Sequence, residues 1–407
     1  MAAKLKGNLV VAQSGGPTAV INASLAGVAQ EGLVHGEVIT GVFGALHGIE
    51  GILYEQLIDL GKERPSTLTL LRKTPSSALG SCRHKVTTDD YDTILKVFKA
   101  HNIRYFFYIG GNDSMDTAHR VDQLAADAGY ELRCMGVPKT IDNDLDFTDH
   151  CPGYGSVSRW IASSVRDAGL DTEAIGIVDK VKVIEIMGRN AGWITAASAL
   201  ARDHEGAAPH LIYLPERPVY WDKLFNDVQK VYDRLGYCVL TICEGAKGPD
   251  GKPLAASTRS IDVDAFGHAQ MGGVADLLCR EIAANVKLKA RFDKPGTIQR
   301  VSIALQSKTD QEEAYLVGQM AVRHALAGVS DKMVTLVRES NEPYHCTTGL
   351  ADLDKVANAE KLMPADFINE AGNDVTEKFV EYALPLIGAP LPKYAYFKKV
   401  ALPKHLG

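Results

Sequence analysis

One pattern recurs along this chain and constrains its fold more than any other feature: a short β-branched or aromatic run, then a glycine-rich or polar turn, then a helical stretch. Such runs end near residues 12, 109, 137, 186 and 243. Alternation of strands and helices is typical of parallel sheets covered by helices on both faces, and near-continuous apolar strands fit that burial. The sequence therefore predicts an α/β protein with at least two lobes, whose ligands bind beyond the carboxyl ends of the strands.

Composition and charge exclude several classes of protein. The 407 residues are 46% hydrophobic and 23% charged, which is ordinary for a globular protein and excludes disordered and fibrous chains. The formal charge of -6 gives no general attraction for nucleic acid or an anionic membrane. No run approaches the ~20 apolar residues of a membrane span, and the first residues do not resemble a secretory signal. Seven cysteines without a C-x-x-C pair favour reduced thiols and a cytoplasmic location.

Two diglycine pairs, Gly15-Gly16 and Gly110-Gly111, each lie between a predicted strand and a predicted helix. Glycine allows a positive φ and a close approach of backbone N–H groups to a ligand. The helix N-terminus that follows favours an anion, so phosphate is the expected ligand. For either pair alone, a plain tight turn is the alternative. Neither loop matches the P-loop or the dinucleotide-binding fingerprint.

A sharper signal is the segment Thr140-Ile141-Asp142-Asn143-Asp144. In an extended segment, Asp142 and Asp144 would project together and Asn143 would face away. Two close carboxylates can divide the work, since one accepts a proton from an attacking hydroxyl and the other holds a metal or tunes its neighbour. Lys139 adds a cation directly before them. An ordinary Asp/Asn turn explains the spacing equally well.

Three arginines complete the pattern. Arg189 follows one apolar run, and Arg291 and Arg300 flank a later glycine turn. A guanidinium suits bidentate recognition of phosphate, although a lone arginine is more often a solvated surface residue. Together with the diglycine loops and the paired carboxylates, these arginines predict phosphoryl transfer between anionic partners, with Mg²⁺ as the expected cofactor.

The motifs resemble those of the 6-phosphofructokinases, and in particular the pyrophosphate-dependent branch of that family. The matching positions run from about residue 8 to about residue 330: Gly15-Gly16 with Asn22, GGNDS at 110–114, PKTIDND at 138–144, MGR at 187–189, Glu244 and GTIQR at 296–300. The resemblance implies two Rossmann-like three-layer α/β/α lobes with the active site in the cleft between them. It implies a phosphoryl-donor lobe of residues 1–154 plus about 302–350, and a fructose 6-phosphate lobe of residues 155–301 plus about 351–407.

The resemblance also implies a reaction and a role for each matching residue. Pyrophosphate would donate a phosphoryl group to the 1-hydroxyl of fructose 6-phosphate, with Mg²⁺ present. Asp142 would be the base with Asp144 beside it, and Thr140 would contact the reacting groups. Lys139 and Arg189 complete the catalytic set. The sugar phosphate would be bound by Met187, Gly188, Arg189, Glu244, Arg291 and Arg300, of which Arg291 would come from a neighbouring subunit of a homo-oligomer. The donor would be bordered by Gly15, Gly16, Arg83, Gly111, Asp113 and Lys139.

The identity of the donor depends mainly on Asp113. ATP-using relatives have glycine at this position, and a carboxylate here would intrude on the α-phosphate of ATP and repel it. The alternative is that Asp113 only caps the helix that follows. An ATP-dependent 6-phosphofructokinase is therefore the second candidate. A sugar-phosphate sensor without catalysis and an NAD-dependent oxidoreductase are further alternatives, and the missing glycine fingerprint speaks against the latter.

Two departures from the family pattern affect the predicted site. Asn112 stands where an aspartate usually helps to place Mg²⁺, so Asn112 and Asp113 are the candidate metal ligands, with the amide oxygen replacing a carboxylate oxygen. Thr297 stands where bacterial relatives have a sugar-phosphate histidine. His268 superficially resembles that histidine, but Met271 then occupies the place of the phosphate-binding arginine, so His268 is rejected.

Overall fold

Two β-sheets organise the protein, and the computed structural model describes residues 5–257 and 273–405. The larger sheet has the strand order β11-β10-β5-β4-β1-β2-β3, and the smaller has the order β7-β8-β6-β9. The strands are β1 Gly7–Gln13, β2 Ile39–Ala45, β3 Leu57–Asp59, β4 Ile103–Gly110, β5 Arg133–Pro138, β6 Val181–Ile186, β7 Leu211–Tyr213, β8 Cys238–Cys243, β9 Ala290–Asp293, β10 Lys332–Asn341 and β11 Tyr344–Asp352.

Helices cover these sheets and carry the chain between them. They are α1 Ile21–Val34, α2 Ile49–Leu53, α3 Pro65–Leu71, α4 Thr88–Ala100, α5 Asn112–Asp127, α6 Tyr154–Ala174, α7 Trp193–Ala196, α8 Trp221–Leu235, α9 Val274–Asn285, α10 Ile298–Val301, α11 Lys308–Leu326, α12 Leu353–Ala357 and α13 Glu377–Ala383. Short 3₁₀ turns include Ala365–Phe367, which lies between α12 and α13. Within the described ranges, no helix is both long enough and apolar enough to cross a membrane.

Parallel pairing joins β2, β1, β4, β5 and β10 in the larger sheet, while β3 and β11 are antiparallel edges. Successive residues of β1 enter different cores: Leu9 and Val11 pack with α1 and α11, whereas Val10 and Ala12 pack with α4 and α5. This alternation follows from the two-residue period of a strand. It explains why the strand is apolar at consecutive positions, since both faces are covered.

The smaller sheet is parallel throughout and has the same three layers. Ile184 and Ile186 of β6 pack with α6 and α7, while Val181 and Val183 pack with α8 and α9. The predicted α/β class is therefore confirmed. The chain crosses from the larger to the smaller sheet after β5, returns after β9, and crosses again after β11, where Met363 enters the core beside α6. All seven cysteines lie in the described ranges as free thiols.

Candidate active site

The two diglycine turns lie next to each other, because β1 and β4 are adjacent parallel strands. The hydroxyls of Ser14 and Ser114, which flank the two turns, are 2.5 Å apart. Gly15 has φ +73°, in the left-handed region that favours glycine, and a Cβ here would lie 3.1 Å from Nζ of Lys139. Lys139 follows β5, the next strand, and its backbone N–H donates to the carbonyl oxygen of Gly110. The loops predicted to bind the phosphoryl donor therefore meet at one edge of the sheet, the one formed by the carboxyl ends of its parallel strands.

A group of cations surrounds this edge. The Lys139 side chain is 4% exposed, and its ammonium donates to the carbonyl oxygen of Gly16 over 3.0 Å. Burial lowers the pKa of Lys139 to about 8. Arg300 and Arg83 also lower this pKa, by smaller amounts, whereas the carboxylates of Asp142 and Asp144 raise it. Burial and Arg83 likewise lower the pKa of Arg300. Its buried Nε has no hydrogen-bond partner within the described ranges. Gathered cations with an unsatisfied donor are what an anion-binding site requires.

Asp142 has the electrostatic properties of a general base. Burial raises its pKa to about 7, and the carboxylates of Asp144 and Glu244 add to the rise, while Lys139 and Arg189 oppose it. A carboxylate with a pKa near 7 can accept a proton efficiently at neutral pH. The structure thus brings Asp142, Asp144, Glu244, Lys139 and Arg189 within electrostatic range of one another.

The segment that carries these carboxylates is a turn, so the predicted extended conformation is wrong. Asn143 has φ +57°, a left-handed conformation that asparagine tolerates better than most residues. Its side chain nevertheless faces away from the site: its Oδ1 accepts the N–H of Cys151, and its Nδ2 donates to the hydroxyl of Tyr382. The hydrogen bonds of the Asn143 side-chain amide therefore hold the turn that carries Asp142 and Asp144.

Thr140 and Asp144 form a second unit within this turn. The Thr140 hydroxyl accepts the N–H of Asp142 over 3.0 Å and lies close enough to Asp144 to influence its pKa. Burial raises the pKa of Asp144, and the Thr140 hydroxyl opposes that rise. Oδ1 of Asp144 is buried with no partner among the described residues. One carboxylate oxygen of Asp144 is therefore available for a ligand. A contact of Thr140 with the reacting groups stays a prediction.

The loop after β6 faces the loop after β8, at the corresponding edge of the smaller sheet. Gly188 has φ +142°, and its N–H donates to Oε1 of Glu244 over 3.2 Å. The N–H of Met187 donates to the buried side chain of Gln299 over 3.3 Å. Burial and Glu185 raise the pKa of Glu244 to about 7, against Lys294 and Arg189. Met187, Gly188 and Glu244 therefore lie together beside Gln299, the neighbour of Arg300.

Several predicted residues lie elsewhere or make unexpected contacts. Arg291 lies in register with Lys182 at the start of β6, far along the strand from the loop at its end, and pairs with Asp179 at 2.8 Å. One chain thus does not bring Arg291 to its own site. Asp113 is exposed in the first turn of α5, with Gly111 as the N-cap and no capping bond from a side chain. Asp113 therefore does not cap α5, and the alternative that assigned it this role is wrong.

Asn112 uses its amide in a structural contact. Its Nδ2 donates to the backbone carbonyls of Val356 and Ala359, at 3.3 Å and 2.5 Å. Only its Oδ1 is left for a metal ion. His268 and Met271 lie outside the described residues.

The sequence analysis missed three residues that support the site from behind. The buried ammonium of Lys361 donates to the carbonyls of Thr148 and Asp149, and Tyr382 donates to the same Asp149 carbonyl. Gln299 was seen only as the neighbour of Arg300. No motif marks Lys361 or Tyr382, because each acts through contacts with the backbone of a distant segment.

Two close carboxylates, Asp142 and Asp144, lie beside the cations Lys139 and Arg189, between the two α/β sheets. This arrangement is typical of a phosphoryl-transfer enzyme. The chain belongs to the phosphofructokinase family, because the model of that family, described as "Phosphofructokinase", matches residues 8–325. It is 45% identical to the pyrophosphate–fructose 6-phosphate 1-phosphotransferase of Halomonas elongata, covering 95% of this chain and 93% of that one. The protein of the same name from Xanthomonas campestris pv. campestris is 43% identical over 98% of each chain. A crystal structure of the pyrophosphate-dependent phosphofructokinase from Nitrosospira multiformis is similar with a TM-score of 0.87, 41% identity and 99% coverage of both chains.

Proposed function

We propose that this protein transfers a phosphoryl group from pyrophosphate to the 1-hydroxyl of fructose 6-phosphate, giving fructose 1,6-bisphosphate and phosphate. The observation that supports the proposal is that Asp142, whose pKa burial raises to about 7, lies within electrostatic range of both Lys139 at the diglycine turns and Arg189 in the loop after β6. Relatives named for this reaction share 43% and 45% of their residues with the chain over nearly its whole length. The two phosphate bonds exchanged are similar in energy, so we expect the reaction to run in both directions.

The residues of the chain divide the work as follows. Asp142 accepts the proton of the attacking hydroxyl, so that a more nucleophilic oxygen meets the phosphorus in line. Lys139 and Arg83 neutralise the phosphoryl donor, and the glycine turns let backbone N–H groups approach it. Arg300 and Arg189 bind and orient the sugar phosphate. Catalysis of phosphoryl transfer is mainly positioning and charge neutralisation, which these residues can supply.

The surroundings of Asp113 support pyrophosphate rather than ATP as the donor. The exposed carboxylate lines a cavity together with Tyr91, Tyr108 and Arg120. Where glycine in ATP-using relatives leaves room for an α-phosphate, the side chain of Asp113 occupies space in this cavity. A negative side chain there also repels an α-phosphate. Inorganic pyrophosphate needs no room beyond Asp113.

The oxygen atoms that the site offers fit Mg²⁺, which prefers oxygen ligands and keeps several waters. Asp144 offers the unpartnered, buried Oδ1, and Asn112 and Asp113 offer an amide and a carboxylate oxygen at the start of α5. We propose that Asp144 is the principal protein ligand, because the amide nitrogen of Asn112 is committed to backbone carbonyls. Bound there, Mg²⁺ would neutralise charge on the phosphates.

Residue ranges, assembly and location belong to the same proposal. The donor lobe comprises residues 1–154 plus about 302–350, extended by α12, whose Leu353 and Val356 pack in the core beside β4 and α5. The fructose 6-phosphate lobe comprises 155–301 and the remaining residues up to about 407. Arg291 reaches a sugar-phosphate site only if another copy of the chain supplies it, so the active form is a homo-oligomer. The free thiols are consistent with a cytoplasmic protein.

The test is an assay of purified protein with fructose 6-phosphate, Mg²⁺ and either pyrophosphate or ATP. We expect turnover with pyrophosphate and at least tenfold lower kcat/KM with ATP. Faster turnover with ATP would refute the donor assignment and make the protein an ATP-dependent 6-phosphofructokinase. Binding of fructose 6-phosphate without turnover of either donor would instead indicate a sensor.

A further inference from the structure

Three loops of the site are tied to one short segment, residues 356–363, which we call the connector. It runs from the end of α12 to the 3₁₀ turn Ala365–Phe367. Its two ends are anchored in different cores: Val356 is fully buried beside β4 and α5, and Met363 is buried beside α6. The connector therefore spans the boundary between the two sheets directly behind the predicted catalytic turn.

The middle of the connector holds the turn that carries Asp142 and Asp144. The N–H of Lys361 donates to the carbonyl oxygen of Asp144 over 2.8 Å. The Lys361 ammonium donates to the carbonyl oxygens of Thr148 and Asp149, at 3.1 Å and 2.8 Å, and to Oδ1 of Asn143 at 3.4 Å. Three charge-assisted bonds from one buried cation fix the back of this turn.

The same residue holds the loop on the sugar-phosphate side. The indole N–H of Trp193 donates to the carbonyl oxygen of Lys361 over 3.0 Å, and the Lys361 ammonium lies 5.3 Å from the centre of the Trp193 ring. A cation at this distance over an indole face is attracted to it. Trp193 begins α7, four residues after Arg189, so the connector also fixes where the Met187–Arg189 loop ends.

The start of the connector holds the donor side through Asn112. The two carbonyls that accept from Nδ2 of Asn112, those of Val356 and Ala359, belong to the connector. An aspartate at position 112 would place a carboxylate oxygen against these two carbonyl oxygens, where neither side can donate a hydrogen. The connector thus gives a physical reason for asparagine at a position where family members usually have aspartate.

We propose that the connector is a positioning element that fixes the donor loop, the catalytic turn and the sugar-phosphate loop relative to one another. Lys361 is its central positioning residue and Asn112 is its contact on the donor side. The inference rests on the proposed function for its kinetic consequence, whereas its structural consequence can be measured without turnover. A misplacement of about 1 Å can cost on the order of 100-fold in rate, so kcat should depend on the connector more than substrate affinity does.

The experiment compares Lys361→Met, which removes the charge and the donors at similar length, with Lys355→Met on the exposed face of α12. We measure kcat, KM for both substrates and hydrogen exchange of the peptide 142–149. For Lys361→Met we expect kcat about 10- to 100-fold lower, less than threefold change in KM, and faster exchange in the peptide. Lys355→Met should match the wild type in all three, and Lys361→Arg should recover part of the loss.

A double-mutant cycle tests whether the contacts act as one unit. Because Asn112→Ser and Lys361→Met loosen the same segment, we expect the double variant to lose less than the product of the two single losses in kcat. Losses that multiply, or unchanged exchange in Lys361→Met, would overturn the proposal. If the wild type fails to use pyrophosphate, the proposed function fails and the exchange result alone decides on the connector. If Lys361→Met does not fold, Asn112→Asp replaces it, with faster exchange of peptide 356–361 expected and wild-type exchange refuting the inference.

Discussion

Replacing Asp142 by asparagine tests the electrostatic basis of the site in two ways at once. The structure raises the pKa of this carboxyl from 3.8 to about 7, chiefly through burial. At 1.36 kcal/mol per pH unit, ionised Asp142 in the folded protein therefore costs about 4 kcal/mol relative to the unfolded chain. Asparagine carries no charge and avoids this cost. The substitution should lower kcat strongly and yet make the protein more stable.

The sign and the pH range of this effect follow from the two pKa values. Between about pH 4 and pH 7, the folded protein holds a proton on Asp142 that the unfolded chain has lost, so the stability of the wild type falls as the pH rises through this range. Above the folded pKa the full cost is present. The gain in stability from Asp142→Asn should be about 4 kcal/mol at pH 8 and less than half of that at pH 5.

The assay is urea unfolding of wild type and variant at pH 5 and pH 8, with kcat measured at pH 8. We expect the gain to be larger at pH 8 by about 2–3 kcal/mol and kcat to fall by about 10²- to 10⁴-fold, as for loss of a general base. Asp146→Asn removes another carboxylate of the same turn and should leave kcat within a few-fold of wild type. Equal gains at both pH values would refute the electrostatic reasoning, and unchanged kcat would refute the role of Asp142 as base.

Three further predictions concern neighbouring residues. Lys139→Arg should move the alkaline limb of kcat/KM from about pH 8 to higher pH, because a guanidinium stays protonated; an unmoved limb in a pH–rate profile would assign it to another group. Asp113→Gly should raise kcat/KM for ATP at least tenfold, whereas Asp116→Gly, which alters the same cavity, should not; no gain with Asp113→Gly would place donor selection elsewhere. Thr140→Val removes the hydroxyl that opposes the raised pKa of Asp144, so the affinity for Mg²⁺ at pH 7 should fall, as measured by titrating activity with the metal.

Sequence reasoning located the phosphate loops because their chemistry is local. A strand followed by two glycines and a helix is determined by adjacent residues, and β1 and β4 lie side by side as the strand–loop–helix pattern predicts. The acidic segment 140–144 was recognised by its spacing, but its backbone was predicted wrongly. Asn143 adopts a left-handed conformation because Cys151 and Tyr382 bind its side chain, and neither contact can be read from neighbouring residues.

The connector could not be predicted for the same physical reason. Lys361 lies more than 200 residues from the turn that it holds, and its bonds go mostly to backbone carbonyls, which leave no trace in the residue types of their partners. Position 112 carried a visible signal, since asparagine departs from the family pattern. That departure suggested only a weaker metal ligand until the carbonyls of Val356 and Ala359 showed what the amide nitrogen binds.

Burial connects the stability of the site with its chemistry. It is the largest cause of the raised pKa values of Asp142 and Glu244 and of the lowered pKa of Lys139. Desolvation thus destabilises both signs of charge, and the protein retains these groups at a cost that apolar residues would avoid. The same exclusion of water strengthens every interaction between the cations and a bound phosphate. The exclusion of water therefore strengthens the binding of two anions and at the same time lowers the stability of the fold. A hydrogen-bonded cation in the segment behind the site, Lys361, keeps the turn in place.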